Sequence, residues 1–151
     1  MRALAIALWM GIAAAQPAPP APPAQWARAE LVTVQLIDDR FVPDKLAFKS
    51  GVLYRLRLEN DGKEMHEFTA PEFFKTIEVK NPQVLEQGLP EVLLHPGEKK
   101  DLYLIARQPG RYPLICADHD WAGMTGRIIG VMRMPARRSP SPAADALWEG
   151  S

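Results

Sequence analysis

Apolar and polar residues alternate with a two-residue period over Val52-Leu53-Tyr54-Arg55-Leu56-Arg57-Leu58, which predicts a strand with one face buried. Leu31-Val32-Thr33-Val34-Gln35-Leu36-Ile37 is rich in branched residues, which suit a pleated, half-buried surface. Asp101-Leu102-Tyr103-Leu104-Ile105 and Arg127-Ile128-Ile129-Gly130-Val131 continue the pattern. Turn signals at Lys49-Ser50-Gly51, Asn60-Asp61-Gly62 and Pro109-Gly110 punctuate it. Short strands at this spacing predict an all-β sandwich. Pro71 to Leu94 holds neither period, although Asn81 to Gly88 carries the start and stop signals of a helical turn.

The two ends stand outside the pattern. Met1-Arg2 and the apolar run Ala3 to Ala15 have the positive start, hydrophobic centre and small-residue end of a secretory signal peptide (residues 1–15), with cleavage expected after Ala15. That run is shorter than the roughly 20 residues of a bilayer span, and no later segment could cross one, so a soluble, exported chain without stable membrane insertion is expected. Residues 16–29 read as a Pro/Ala-rich linker, because five of the fifteen prolines fall between Gln16 and Ala24 and favour an extended spacer. Residues 30–134 remain as one domain of usual size. Residues 135–151 return to Pro, Ser, Ala and Arg and are expected to form a disordered tail, where Trp148 has little apolar company.

Charge changes the picture mainly by exclusion. The chain has 18 basic and 18 acidic residues, and loss of Arg2 with the leader leaves 17 against 18, a formal net charge of −1. Both signs are interleaved, as in Arg55, Arg57 and Glu59, so no global field favours nucleic acid or an anionic membrane. A partner must be recognised by a local patch. Arg133, Arg137 and Arg138 are read as solvated tail charges. The single cysteine, Cys116, excludes a disulfide within one chain and is too far from the leader to carry a lipid anchor.

That cysteine opens the most specific stretch of the chain, Cys116-Ala117-Asp118-His119-Asp120-Trp121-Ala122-Gly123-Met124, which spaces a thiolate, an imidazole and a thioether as C-x2-H-x4-M. A thiolate with two imidazoles and a weak Met sulfur is the ligand set of mononuclear electron-transfer copper. The loop offers three of the four. His66, 50 residues before Cys116 and just after the Asn60-Asp61-Gly62 turn, is well placed to be the other. Singly, a buried Cys, a core Met and a lone His are ordinary structural residues; their joint occurrence carries the signal. His95 precedes Pro96-Gly97-Glu98 and reads as a surface turn residue. Zinc also takes Cys and His, but a Met ligand favours copper.

Gly110-Arg111-Tyr112-Pro113-Leu114-Ile115-Cys116, followed by His119, then Ala122-Gly123-Met124-Thr125-Gly126 and Ile128-Ile129-Gly130-Val131, resembles the C-terminal ligand loop of plastocyanins and pseudoazurins. The chain is similar to cupredoxins from about Leu31 to Met134. This resemblance implies a Greek-key β-sandwich and a type 1 copper site with His66, Cys116, His119 and Met124 as ligands. It also implies that His119 presents its imidazole edge near the surface, ringed by Met65, Trp121, Ala122 and Gly123.

Four protein ligands leave no evident open position for a substrate, which metal-ion catalysis usually requires. Related copper oxidases and nitrite reductases need additional His ligands, and only His95 is unassigned. A non-enzymatic, monomeric periplasmic protein shuttling single electrons through Cu(I)/Cu(II) is therefore expected, with a cytochrome or a terminal oxidase or reductase as partner. The other reading is a periplasmic protein for copper buffering, delivery or tolerance. Two positions depart from the relatives: Glu67 stands where Asn commonly follows the first His ligand, and Asp118 where Pro commonly precedes the second. The Asp118 N–H could raise the reduction potential by bonding the sulfur while its carboxylate lowers it. Glu67 is open between a similar tuning role and an ordinary solvent-facing position.

Overall fold

The alternation over residues 52–58 becomes a strand, Leu53–Asn60, in which Tyr54, Leu56, Leu58 and Asn60 are buried and the intervening residues half-buried. This computed structural model describes residues 24–134; the expected signal peptide, residues 16–23 of the linker and the tail lie outside the described residues. In chain order the strands are β1 (Glu30–Ile37), β2 (Arg40–Val42), β3 (Lys45–Lys49), β4 (Leu53–Asn60), β5 (His66–Thr69), β6 (Ile77–Val79), β7 (Glu91–Leu94), β8 (Lys99–Ala106), β9 (Gly110–Ile115) and β10 (Thr125–Val131). They form two five-stranded sheets, ordered β2-β1-β4-β8-β6 and β3-β10-β9-β5-β7. Both sheets are mixed, since β1 runs parallel to β4 and β3 parallel to β10. The fold is the mostly-β sandwich of two sheets expected from the sequence.

The stretch without a clear period resolves into a short helix α1 (Pro71–Phe74), β6, two 3-10 turns (Pro82–Val84 and Glu86–Gly88) and β7. The helical turn expected over Asn81 to Gly88 is thus a pair of tighter turns, with Gln87 inside the second at φ 46°. No helix among the described residues is long and apolar enough to cross a membrane.

Inward-facing residues of both sheets share one core, with Val34, Leu36, Leu56, Leu58, Leu102 and Leu104 from one side and Leu46, Phe48, Phe68, Val92, Leu94, Leu114 and Ile128 from the other. Its aromatic centre is Phe48, with the Tyr54 ring 4.9 Å away edge-on and the Phe73 ring stacked at 5.3 Å. Trp26 extends this packing to the outside of the first sheet. It is buried in a 3-10 turn (Ala24–Arg28), with its ring centroid 5.0 Å from that of Tyr103, so the end of the expected linker carries a packed residue.

On that outer face Arg55 and Arg57 both bond Asp101, at 2.7 and 3.0 Å. Burial pushes the Asp101 carboxyl up, but hydrogen bonds from Arg55 and Arg57 outweigh it and hold the group below the ordinary carboxylate range. Because the folded value is depressed, this stabilisation is present above the unfolded pKa and is lost as pH falls through the folded one. Asp101→Asn is expected to cost about 1 kcal/mol at neutral pH after solvent screening. The deficit should shrink below about pH 4, where the unfolded carboxyl protonates; urea unfolding as a function of pH checks it.

Candidate metal centre

Three segments meet at one end of the sandwich: the start of β5, the end of β9 and the loop that returns to β10. His66 is the first residue of β5 and pairs with Leu94 of β7. Its position depends on the preceding loop, which Asn60 organises from a buried site. The Asn60 amide donates to the carbonyls of Glu64 at 2.8 Å and Leu94 at 2.9 Å, and its oxygen accepts from the Gly62 N–H at 2.9 Å.

The residue 116–124 loop is folded by its own backbone. Cys116 N–H donates to the Met124 carbonyl and Met124 N–H to the His119 carbonyl, both at 3.1 Å. Between them lies a 3-10 turn (Asp120–Ala122), closed by Gly123 at φ 96°, a left-handed conformation that accounts for glycine there. The loop of the C-x2-H-x4-M pattern thus folds back on its first residue.

The geometry brings His66, Cys116 and His119 together, with one donor atom from each lying within 4.8 Å of the others. Both imidazoles turn Nδ1 toward the Cys116 sulfur, at 3.9 Å for His66 and 3.4 Å for His119. Cys116 and His66 are buried, whereas His119 keeps 14% of its side chain exposed. Met124 is fully buried on the same loop, its backbone bonded to Cys116 and His119. His95 lies apart in an exposed turn, where its N–H donates to the Glu98 carboxylate at 2.9 Å.

The outward nitrogens face carboxylates. His119 Nε2 lies 2.8 Å from Glu64 Oε2, so its N–H donates there and Nδ1 is left free as a donor to metal. His66 Nε2 has Asp38 Oδ1 at 3.6 Å and no hydrogen-bond partner. Gly62 is what permits this approach: a Cβ there would fall 2.5 Å from Asp38 Oδ1 and 2.8 Å from His66 Nε2. Glu64, Asp38 and the packing role of Gly62 are absent from the sequence reading. The Asn60-Asp61-Gly62 turn signal was their only trace.

Glu67 proves to be a partner of the site rather than a solvent-facing residue. Its N–H donates to the Cys116 sulfur at 3.4 Å while its half-buried carboxylate accepts from the Ala117 N–H at 3.0 Å. Burial pushes the Glu67 carboxyl up, reinforced by the Asp118 and Glu91 charges. Burial also pushes the Cys116 thiol up, against the pull of the Glu67, Asp118 and His119 backbone N–H groups.

Two imidazole nitrogens and a buried sulfur, gathered where a two-sheet sandwich meets its return loop, define a small β-sandwich protein with a metal-type donor set. The chain belongs to the cupredoxin-like domain family, whose profile matches residues 2–129. Among solved structures, auracyanin B matches with a TM-score of 0.52 and 20% identity, over 68% of this chain and 89% of that one. Dithionite-reduced auracyanin from the photosynthetic bacterium Roseiflexus castenholzii gives 0.52 at 14% identity, over 68% and 98%. A multicopper oxidase from Campylobacter jejuni, a metallo-oxidase, gives 0.54 at 14% identity, over 76% of this chain and 31% of that one. At these identities the likeness is one of fold. No curated protein matches the sequence.

Proposed function

We propose that this chain is an exported, monomeric copper protein that passes single electrons between redox partners of the periplasm, a cytochrome or a terminal oxidase or reductase among them. The observation that carries the reading is the convergence of two Nδ1 atoms on a buried thiol, with an Nε2–carboxylate contact behind His119. The donor set fits copper: a soft thiolate, two imidazoles and a buried methionine. Copper held by His66, Cys116, His119 and Met124 would supply one-electron chemistry.

The chain's own residues do the rest. Burial of Cys116 and Met124 keeps water from the sulfur atoms. The Glu67 N–H holds the thiolate, and Glu64 fixes the His119 ring and its tautomer. A rigid wall of two sheets keeps these side chains in nearly one arrangement for either oxidation state, so little rearrangement accompanies each electron. His119 keeps an exposed edge through which an electron can leave. The family also includes oxidase domains, but the sequence has only three histidines and the third, His95, is in an exposed turn.

Titration of the purified protein with Cu(II), followed by visible absorption and paramagnetic resonance, tests the site. An intense visible band with a single copper signal is expected at one equivalent. Rapid exchange with a c-type cytochrome while copper is retained supports electron transfer. Ready loss of copper to a competing acceptor, with no fast exchange, replaces this reading with copper delivery.

Gly62→Ala addresses the back of the site. The added methyl must displace the Asp38 carboxylate and press on the His66 ring. Copper affinity is expected to fall roughly 10-fold to 100-fold, the usual effect of disturbing groups behind a ligand. A competition titration with a chelator measures it, and an unchanged affinity would mean that His66 is not held from behind.

A further inference from the structure

We infer that the end of the sandwich opposite the metal centre is a seat for anionic phospholipid headgroups, by which the chain lies against a membrane surface without entering it. The topology gathers that end from segments far apart in the sequence. β1 and β4 run parallel, so both start there, and β10 finishes there with Val131 beside Lys49 of β3. The β8–β9 turn is at the same end, because Gly110 pairs with Gly130 of β10. The metal centre lies at the other end, past the finish of β4 and β9. A cavity of about 580 Å³ opens among the far-end segments, lined by Arg28, Lys49 and Arg133, with Glu30 as the only carboxylate among its described lining residues.

The cations there are not neutralised within the fold. Arg28, Lys49, Arg111 and Arg133 are exposed, and none of them forms an ion pair among the described residues. Arg55, Arg57, Lys99 and Lys100, by contrast, each have a carboxylate partner. In a chain with 18 basic and 18 acidic residues, this is a local excess of positive charge. Arg133, which the sequence alone presents as a solvated tail charge, forms one wall of the cavity. Arg137 and Arg138 follow it a few positions later.

The apolar rim of the cavity selects the occupant. Met132 and Met134 are 67% and 86% exposed, and both line the cavity beside the exposed Val131. Thioether side chains are unbranched and adaptable, so they can reach the acyl boundary while the long stems of Arg and Lys keep their charges at the level of the phosphates. A soluble anion would engage the cations and leave the methionines in water; an anionic bilayer engages both. None of the described lining residues is aromatic, whereas buried aromatic anchors are what dominate protein interfaces. Contact through this end turns the exposed edge of His119 away from the lipid.

The test is co-sedimentation of the chain from Gln16 onward with vesicles of phosphatidylglycerol or of phosphatidylcholine, a measurement that needs no copper. Binding to phosphatidylglycerol should be at least tenfold the stronger at low salt and should weaken as salt screens the cations. Each Lys or Arg near an anionic surface is worth about fivefold in partitioning, so Arg28→Gln, Lys49→Gln and Arg133→Gln combined should lower binding at least tenfold. Circular dichroism should show that variant folded. Met132→Ser with Met134→Ser should weaken binding several-fold at every salt concentration. Arg40→Gln removes an exposed cation at the finish of β1, at the site end, and should bind as wild type does. With spin-labelled lipid, backbone resonances of residues 49–53 and 131–134 should broaden while the Trp121 indole resonance does not. Equal binding to the two lipids, equal losses from Arg40→Gln and the triple variant, release by inorganic phosphate at constant ionic strength, or broadening centred on Trp121 would overturn the proposal. Retention on an immobilised acidic protein without sedimentation on phosphatidylglycerol would also overturn it, and would give this face to a protein partner.

Discussion

Cys116→Ser is expected to abolish the visible charge-transfer band completely while leaving a folded protein. The band requires a thiolate, and serine at neutral pH offers only a neutral hydroxyl in its place. The change is nearly isosteric in a fully buried position, and the Glu67 N–H that bonded the sulfur can bond the hydroxyl oxygen. Stability should therefore change by no more than about 1–3 kcal/mol, the usual scale for a buried hydroxyl. Absorption after Cu(II) addition, with circular dichroism as the control for folding, checks both parts. A Cys116→Ser protein with an unchanged visible spectrum would show that the thiolate is not a ligand.

Phe48→Ala should produce the largest loss of stability of any single change considered. Phe48 is fully buried between the sheets, edge-on to Tyr54 and stacked on Phe73. Its removal forfeits both the transfer free energy and the contacts around the resulting cavity, about 3–5 kcal/mol. Against a typical total of about 5–15 kcal/mol this is a large fraction, and the midpoint of thermal unfolding should fall by roughly 15 °C or more. Trp121→Ala, at an exposed ring, should stay within about 0.5 kcal/mol of wild type. Equal losses for the two variants would mean that the core is centred elsewhere.

The sequence made the long strands and the ligand loop legible for a shared reason: both are written in local patterns. Alternation over β4 and the branched run of β1 show which face is buried, and the 116–124 loop folds largely on itself, so its spacing survives into three dimensions. The residues behind the ligands were not legible, because long-range packing sets their roles. Glu64 reaches His119 across 55 positions, and Glu67 reaches Ala117 across 50. Lys45 to Lys49 does alternate, buried at Leu46 and Phe48, but five residues are too few to stand out without the partner strand β10. β6 has three residues, all half-buried, and offers no period at all. Trp26 was hidden by its Pro/Ala surroundings, which describe the chain before it rather than the ring it places on Tyr103.

The pairing of β10 with β3 carries a kinetic consequence. Contacts between segments so distant in sequence must await closure of a long loop, which slows their formation. β10 is also the strand to which the 116–124 loop returns, and the Met124 carbonyl that receives the Cys116 N–H sits immediately before it. Assembly of the complete donor set is thus tied to the docking of the last strand. A partly folded chain presents a single thiol and scattered imidazoles with no shared geometry, so capture of a metal ion with native affinity becomes a mark that folding has finished.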